Sequence, residues 1–347
     1  MKGGRLANYG GLGMCVLQLV SGLRERGVDV DVLSRKNGTS EGEVVSNVTR
    51  TPYIRLTKSR NWKLTHGFTL MPTLIKMMLK KNYDIVHVHN PPAGITAIPT
   101  SHAFKKKVVM TMHGPWARVR DRFKSLGMRI ENDTLFGSDY VTFDSESLLE
   151  MYGHKGNYYA IRNAVDSELF KPLGMDEARD KFGLEHDRRI FLYSGRNVYG
   201  KNVDVIRMVA GDFPNDRFIV TGWRGDAIDE EFSNVRYMKS IPNYDMPALY
   251  SACNGMILAS SMEGLSRAVL ETMSCERAAI LSDIPANHEA ALGIGRYFRS
   301  SDELKEILEG TSVKDMEKMG KDGRKRAIKE FSVSRRIESF LKLYEKI

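Results

Sequence analysis

The sequence predicts an α/β protein of two Rossmann-like, doubly wound domains facing a cleft. Three observations carry that expectation. Short apolar runs alternate with longer stretches of helical period along the chain, the pattern of parallel sheets covered on both faces. The alternation pauses once, over Val165–Pro172, and then starts again, so two series share one hinge. The length, 347 residues, is that of two domains rather than one. The expected boundaries are 1–166, 167–331 and a closing helix over 332–347.

The elements follow in order. Gly10, Gly11 and Gly13 stand at the start of an amphipathic helix over Leu12–Arg26, whose apolar side is Val16, Leu17, Leu19, Val20 and Leu23. Glycines there let backbone approach a phosphate at a helix N-terminus, although a simple turn has the same composition. Val28–Leu33 reads as a strand in which Asp29 and Asp31 alternate, facing solvent or the sheet edge rather than a metal. An apolar helix over Met71–Lys80, with Pro72 in its first turn, precedes a strand at Asp84–His89. Val108–His113, Tyr140–Phe143 and Tyr158–Ile161 complete the first series. The second comprises Arg189–Ser194, Phe218–Thr221, Val235–Met238, Gly255–Ala259 and Ala278–Leu281, and three helices, Asp302–Glu309, Val313–Glu330 and Ser334–Lys346, close the chain. Nothing apolar precedes Tyr9–Gly13, whereas a doubly wound domain normally opens on a buried central strand. The expectation is that Met1 lies downstream of the true start, the alternative being a first domain without its central strand.

Composition narrows the class. With 42% apolar and 27% charged residues, the chain is globular. It has no uninterrupted apolar run of about 18 residues to span a membrane, and its first residues lack the apolar core of a signal peptide. Cys15, Cys253 and Cys275 lie far apart without a CxxC pair, which fits a reducing cytoplasm and argues against zinc. A net charge of +9 suits an anionic ligand or an anionic membrane surface. Two basic stretches with interleaved aromatics, Arg55–Lys63 and Trp116–Arg129 (including Arg118), offer a means of resting on such a surface, or simply form a solvated helix face. There is no GxxxxGK[ST] loop, no GxGxxG and no G-x-S-x-G elbow, which speaks against an ATPase, a simple dehydrogenase and an α/β-hydrolase.

The densest chemistry lies in Glu263–Glu271, EGLSRAVLE. A helix opening near Ser266 places Glu271 inside it and Glu263 in the loop before it. Eight helical residues rise about 12 Å, roughly the span between the ribose and the sugar ring of a nucleotide sugar. Backbone N–H groups of Gly264, Leu265, Ser266 and Arg267 then point at the diphosphate between them. Gly195-Arg196 and Gly200-Lys201 follow the first strand of the second series, where a guanidinium fork and an ammonium suit a diphosphate leaving group. His89 and His113 end their strands, and strand C-termini line the ligand crevice of such folds. His87, one position pair earlier, reads as structural.

Many short pieces, in the right order over nearly the whole chain, resemble the retaining glycosyltransferases of family 4, which have the GT-B fold. They are the Gly10-Gly11 loop, RGVDVDVLS, YDIVHVH, TMHG and NAVDSELFKP in the first half. In the second half they are SGRNVYGKN, IPNYDMPALYSACNGMILASSMEGLSRAVLETMSC, IPANHEAA and the closing KEFSVSRRIESFLKLYEKI. The resemblance implies an acceptor-side first domain, a donor-binding second domain and a terminal helix returning to the first. It implies that Glu271 holds ribose hydroxyls and Glu263 sugar hydroxyls, while Arg196 and Lys201 neutralise the departing diphosphate. Gly11, with Gly10, gives backbone to a phosphate, His113 contacts the transferred sugar, and backbone near Ile241 meets the base. His89, Trp116 and Arg118 are assigned to the acceptor side. The implied chemistry is hexosyl transfer with retention, without metal or cofactor, to a glycan, lipid-linked or small-molecule acceptor in cell-surface polysaccharide, glycolipid or glycoprotein glycan synthesis. The implied place is the cytoplasm or the inner membrane face, and no nucleic-acid partner is expected. A GT-B nucleotide-sugar epimerase, and a non-catalytic module binding sugar nucleotides or nucleic acid, fit the same pieces. Three places depart from the family pattern: Ala164 for the glycine of NGVD, Arg267 where an aliphatic residue is common, and Glu276-Arg277-Ala278 where glycine and proline are frequent after the cysteine. Arg267 is expected to add a contact to a charged donor or acceptor.

Overall fold

A computed structural model describes residues 10–35, 48–51, 62–115, 124–195, 200–223, 227–229 and 231–347. The chain packs as two compact units: the first runs to Arg162 and takes in Arg336–Ile347, and the second is Asn163–Arg335.

In the first unit α1 (Gly11–Arg24) precedes β1 (Val32–Arg35), which pairs in parallel with β2 (Val48–Thr51). There follow α2 (Trp62–Lys80), β3 (Ile85–His89), α3 (Pro91–Ala103), β4 (Lys107–Met112), α4 (Lys124–Gly137), β5 (Tyr140–Phe143), α5 (Glu146–Tyr152) and β6 (Tyr158–Ala160). Strands β3 to β6 form a parallel sheet in sequential order. Its centre is β4, buried from Val108 to Met112, a run of apolar and β-branched residues suited to a strand covered on both faces. Val88, Met110, Val141 and Phe143 meet Leu74, Met78, Leu135 and Leu148 of the covering helices. The turn after β5 is fixed by Ser145, whose hydroxyl caps α5 by accepting from the Leu148 N–H.

The structure corrects two expectations. The strand expected at Val28–Leu33 begins only at Val32, and Asp29 and Asp31 lie before it. Both carboxylates converge on Lys81, at 2.6 and 2.9 Å, and Tyr83 donates to Asp31 at 2.8 Å. A shared ammonium holds them together ahead of the strand, so they do not alternate across it; Asp29 faces solvent as expected, whereas Asp31 is largely covered. Helix α2 begins at Trp62, well before the expected Met71, and Pro72 lies in its interior. The apolar run hid a more polar first half of the same helix.

The second unit contains α6 (Met175–Phe182), β7 (Ile190–Ser194), α7 (Asp204–Ala210), β8 (Arg217–Trp223), β9 (Ala227–Ile228), β10 (Val235–Lys239), α8 (Met246–Ala252), β11 (Gly255–Leu258), α9 (Arg267–Ser274), β12 (Ala278–Ser282), α10 (Pro285–Ala291), β13 (Arg296–Phe298), α11 (Ser301–Gly310) and α12 (Val313–Glu330). α13 (Val333–Tyr344) then carries the chain back into the first unit. The sheet order is β13-β12-β11-β7-β8-β10-β9, parallel except for the edge strand β9. The chain winds outward from β7 through β8 and β10, returns to β11 beside β7, and winds the other way. That reversal is a topological switch point, where open α/β sheets bind ligands beyond their strand C-termini. Alternate residues of β7 serve the two faces: Leu192 packs with Met256, Leu270 and Met273, and Phe191 and Tyr193 pack with Ile206, Val209 and Ile257. Helix α12 lies so close to the turn after α9 that a Cβ at Gly320 would stand 2.1 Å from the Glu276 carbonyl oxygen.

Candidate functional site

At the switch point of the second unit, the loops after β7 and β11 are clipped together. The Ser261 N–H donates to the Gly200 carbonyl at 2.8 Å, and the Asn202 amide donates to the Ala259 carbonyl at 2.9 Å. Gly200 has φ +84°, a left-handed turn that favours glycine. So held, Lys201 and Glu263 form an ion pair, and the Tyr193 hydroxyl donates to the Lys201 carbonyl at 2.8 Å. Two residues assigned separately from the sequence, 62 positions apart, thus share one site.

Beyond Glu263 the loop passes Gly264 and the buried Leu265, whose carbonyl accepts from the Asn163 amide at 3.3 Å. Ser266 is the N-cap of α9, with extended backbone and no side-chain cap, so its hydroxyl does not occupy the helix's positive end. Glu271 lies one turn inside, buried. Its Oε2 accepts from the Tyr250 hydroxyl at 3.0 Å and its Oε1 from Arg267 at 3.0 Å, with both charged side chains 9% exposed. Burial pushes the Glu271 carboxyl up, against the opposing pull of Arg267 and Tyr250. The guanidinium expected to meet a charged donor or acceptor is therefore engaged by Glu271 within its own helix. Ile241, in the loop after β10, is half-buried against the same core.

The first unit holds a second cluster. His89 ends β3, His113 follows β4 and Asp144 follows β5, so three neighbouring parallel strands deliver three polar side chains to one sheet end. His113 Nδ1 lies 2.7 Å from Asp144 Oδ2, and His113 Nε2 lies 3.0 Å from His89 Nδ1. Burial alone would lower the His113 value. The Asp144 carboxylate, with a smaller pull from Cys15, overrides it and raises the imidazole to about 9. His89 is held well below the usual range, by burial first and by neighbouring positive groups second. The same two causes push His87 down to about 3, while its Nδ1 meets the Tyr344 hydroxyl and its Nε2 meets Thr111, each at 2.6 Å. Cys15, in α1, brings a thiol within 4.8 Å of the polar atoms of His113 and Asp144. That cluster has the size of a metal site and was invisible in the cysteine spacing. Arg336 of α13 donates to Asp144 Oδ1 at 3.3 Å. Gly10 is the extended N-cap of α1, which begins at Gly11, again without a side-chain cap.

Arg196, Trp116 and Arg118 lie outside the described residues, as do 55–61 and 116–123 of the two basic stretches. Asn163, Tyr250, Asp144 and Arg336 were missed by sequence reasoning. Asn163 stood in a quoted hinge motif and Asp144 one step past a predicted strand, whereas nothing local distinguished Tyr250 or Arg336.

Known proteins give the wider context. Residues 9–169 match Glycosyltransferase Family 4, and residues 174–292 match Glycosyl transferases group 1. The chain is 25% identical over 320 residues to an Escherichia coli UDP-Gal:alpha-D-GlcNAc-diphosphoundecaprenol alpha-1,3-galactosyltransferase, covering 83% of this chain and 82% of that protein. It is 23% identical over 309 residues to a D-inositol 3-phosphate glycosyltransferase of Acidothermus cellulolyticus, covering 77% and 69%. Among solved structures, sucrose-phosphate synthase from Thermosynechococcus elongatus superposes with a TM-score of 0.84 at 20% identity, over 97% of this chain and 93% of that one. Anabaena HepE in complex with UDP-glucose superposes with a TM-score of 0.78 at 15% identity, over 99% and 98%. With its two matching domains and a fold shared with GT-B enzymes, the chain belongs to the family 4 glycosyltransferases, enzymes that use nucleotide-sugar donors.

Proposed function

We propose that the protein transfers a hexose from a nucleoside-diphosphate sugar to a glycan, lipid-linked or small-molecule acceptor, with retained anomeric configuration and without a metal. The observation that carries this reading is the Lys201–Glu263 pair at the switch point. An acid and an ammonium held together there suit, respectively, a sugar's hydroxyls and the phosphates beside its anomeric carbon. Glu271, one turn into α9, suits the ribose hydroxyls, Ile241 backbone suits the base, and Arg196 keeps with Lys201 the diphosphate role assigned from the sequence. In the first unit, Gly10–Gly11 offers N–H groups to phosphate, His113 offers positive charge to the transferred sugar, and His89, Trp116 and Arg118 belong to the acceptor side.

In the proposed reaction the bond from anomeric carbon to phosphate oxygen breaks and its electron pair leaves with the diphosphate. The acceptor oxygen bonds to the same face of the carbon and gives its proton to the departing phosphate oxygen. The protein's share is electrostatic: Lys201 and Arg196 offset the charge developing on the diphosphate. A polyprenyl-diphosphate sugar is the acceptor in the name of the Escherichia coli relative, which supports a lipid-linked acceptor and cell-surface glycan synthesis. The same lipid-linked acceptor supports a place at the inner membrane face, held by surface contacts; among the described residues no helix is long and apolar enough to cross a membrane.

A thermal-shift screen with UDP, GDP, ADP and their sugars, with and without EDTA, tests this. A ligand bound only by the folded state raises the midpoint. The expected result is a shift with one nucleotide family, insensitive to EDTA, with Lys201→Ala mainly slowing turnover of that donor. A shift abolished by EDTA would sink the metal-free part, and equal binding without turnover would sink the transferase part.

A further inference from the structure

Three histidines meet at the sheet end of the first unit, and helix α13 covers them with one face. Arg336, Phe340 and Tyr344 recur at every fourth position, so they line one side of the helix. The Phe340 ring lies 5.3 Å from His87, and the Tyr344 hydroxyl meets His87 Nδ1. Arg336 does something else. Its side chain is 2% exposed, it donates to Asp144 at 3.3 Å, and its Nε and Nη1 are buried without a hydrogen-bond partner. Burying a guanidinium with two unmet donors is unfavourable, and an apolar side chain of the same volume would serve packing better. What arginine adds is a fixed donor on the second oxygen of Asp144, which holds that carboxylate in the plane needed by His113.

The hydrogen bonds then propagate in one sense. Asp144 can only accept, so His113 Nδ1 carries a proton. A charged His113 also carries one on Nε2, which points at His89 Nδ1 3.0 Å away. His89 must therefore accept through Nδ1 and keep its own proton on Nε2, which has no hydrogen-bond partner among the described residues. We propose that Asp144 and Arg336 are positioning residues for the His113–His89 couple, fixing its protons so that His89 presents an Nε2–H donor to a hydroxyl of the transferred sugar or its acceptor. This rests on the glycosyl-transfer reading for the ligand, but not for the proton pattern. It shifts the ligand-facing role from His113, whose two ring nitrogens are both engaged, to its neighbour.

The groups around His113 are Cys15 from α1, His87 and His89 from β3, Asp144 just after β5, and Arg336 from α13, whose Tyr344 meets His87. Asp144 is the one carboxylate among them, and Cys15 adds a smaller pull in the same direction. His113 is held up to about 9 by them, so its charge is complete at neutral pH and is lost as pH rises through that value. Without the carboxylate, burial pulls His113 down against Cys15 alone, and a neutral ring is expected.

The test uses the full chain labelled with 15N-histidine, with ring nitrogens read by NMR at about pH 7.5 and assigned by His113→Gln and His89→Gln. The expected spectrum has His113 protonated on both nitrogens and His89 neutral with its proton on Nε2. A neutral His113, or a His89 protonated on Nδ1, overturns the proposal. Asp144→Asn should make His113 neutral and move the alkaline limb of donor turnover from about 9 to below about 7. An unmoved limb overturns it. Arg336→Met should lower kcat by about tenfold with the donor KM changed by less than about threefold, and Arg336→Lys should restore part of kcat. A fall in melting temperature with kcat unchanged would reduce Arg336 to a structural role and overturn its part. If Arg336→Met does not fold, Arg336→Lys carries the same kcat test. The expected spectrum with no transfer from any nucleotide sugar would support the proton pattern while removing the glycosyl-transfer reading.

Discussion

Arg267→Met separates charge from packing in α9. Arg267 Nη2 and Glu271 Oε1 are 3.0 Å apart and both side chains are 9% exposed, so the variant leaves a buried carboxyl with Tyr250 as its remaining named partner. The group can escape its lost partner by taking up a proton, which sets a ceiling on the damage. At about pH 7.5 that escape costs about 4 kcal/mol relative to the ordinary value of 4.5. Breaking a buried pair typically costs about 3 to 5 kcal/mol, and the Tyr250 hydrogen bond recovers about 1, so about 3 kcal/mol is expected. At about pH 5 the ceiling falls below about 1 kcal/mol. The sign follows from linkage: burial already raises the folded Glu271 value, so its stabilising share is complete below the unfolded value and is lost as pH rises. Arg267→Met steepens that loss. Hydrogen exchange of β11 and β12, strands at the heart of the second unit, is the assay, since a two-unit chain has no single unfolding free energy. Equal destabilisation at both pH values would refute the argument and reassign Arg267 to packing.

Two further variants address the turn after α9. Gly320→Ala should destabilise the second unit by about 2 kcal/mol, because a Cβ 2.1 Å from the Glu276 carbonyl oxygen outweighs the roughly 1 kcal/mol gained in helix propensity; an unchanged melting temperature would mean the turn yields freely. Glu276 has φ +56°, a conformation costly for any side chain, so Glu276→Gly should gain about 0.5 kcal/mol after loss of the weak Arg324 contact at 3.6 Å. A clear fall in melting temperature would show that the Arg324 contact outweighs the strain.

The legible parts of the chain were those whose signal is local and repeated. Strands such as Val108–Met112 and Gly255–Leu258 announce themselves as apolar runs because both faces are buried. β9 and β13 escaped because two or three residues at a sheet margin carry no period. Lys201 and Glu263 could be proposed one at a time, each from the loop it follows, but their pairing depends on β11 returning beside β7, a non-local event. Arg267 was expected to reach a charged ligand; the structure adds an ion pair with Glu271, four residues on, which competes with any ligand because both side chains are buried. Glu276 is the reverse case, a departure from the family's glycine that the left-handed backbone now explains as tolerated strain. The Cys15–His113–Asp144–Arg336 grouping draws on residues over 300 positions apart and no spacing rule reaches that far.

The route of α13 back into the first unit has a consequence for biosynthesis. Domains generally fold as they emerge, the N-terminal one first. In this chain the lid over the histidines is translated only after the entire second unit, so the first unit can assemble its sheet early but must wait for Arg336, Phe340 and Tyr344 to seal it. Until then a buried imidazole cluster stands open, with Asp144 lacking its guanidinium. A ribosome stalled, or a protease cutting, anywhere between α12 and α13 would leave a chain with a finished second unit and an unfinished histidine cluster in the first. Quality control on this enzyme therefore falls on its last helix.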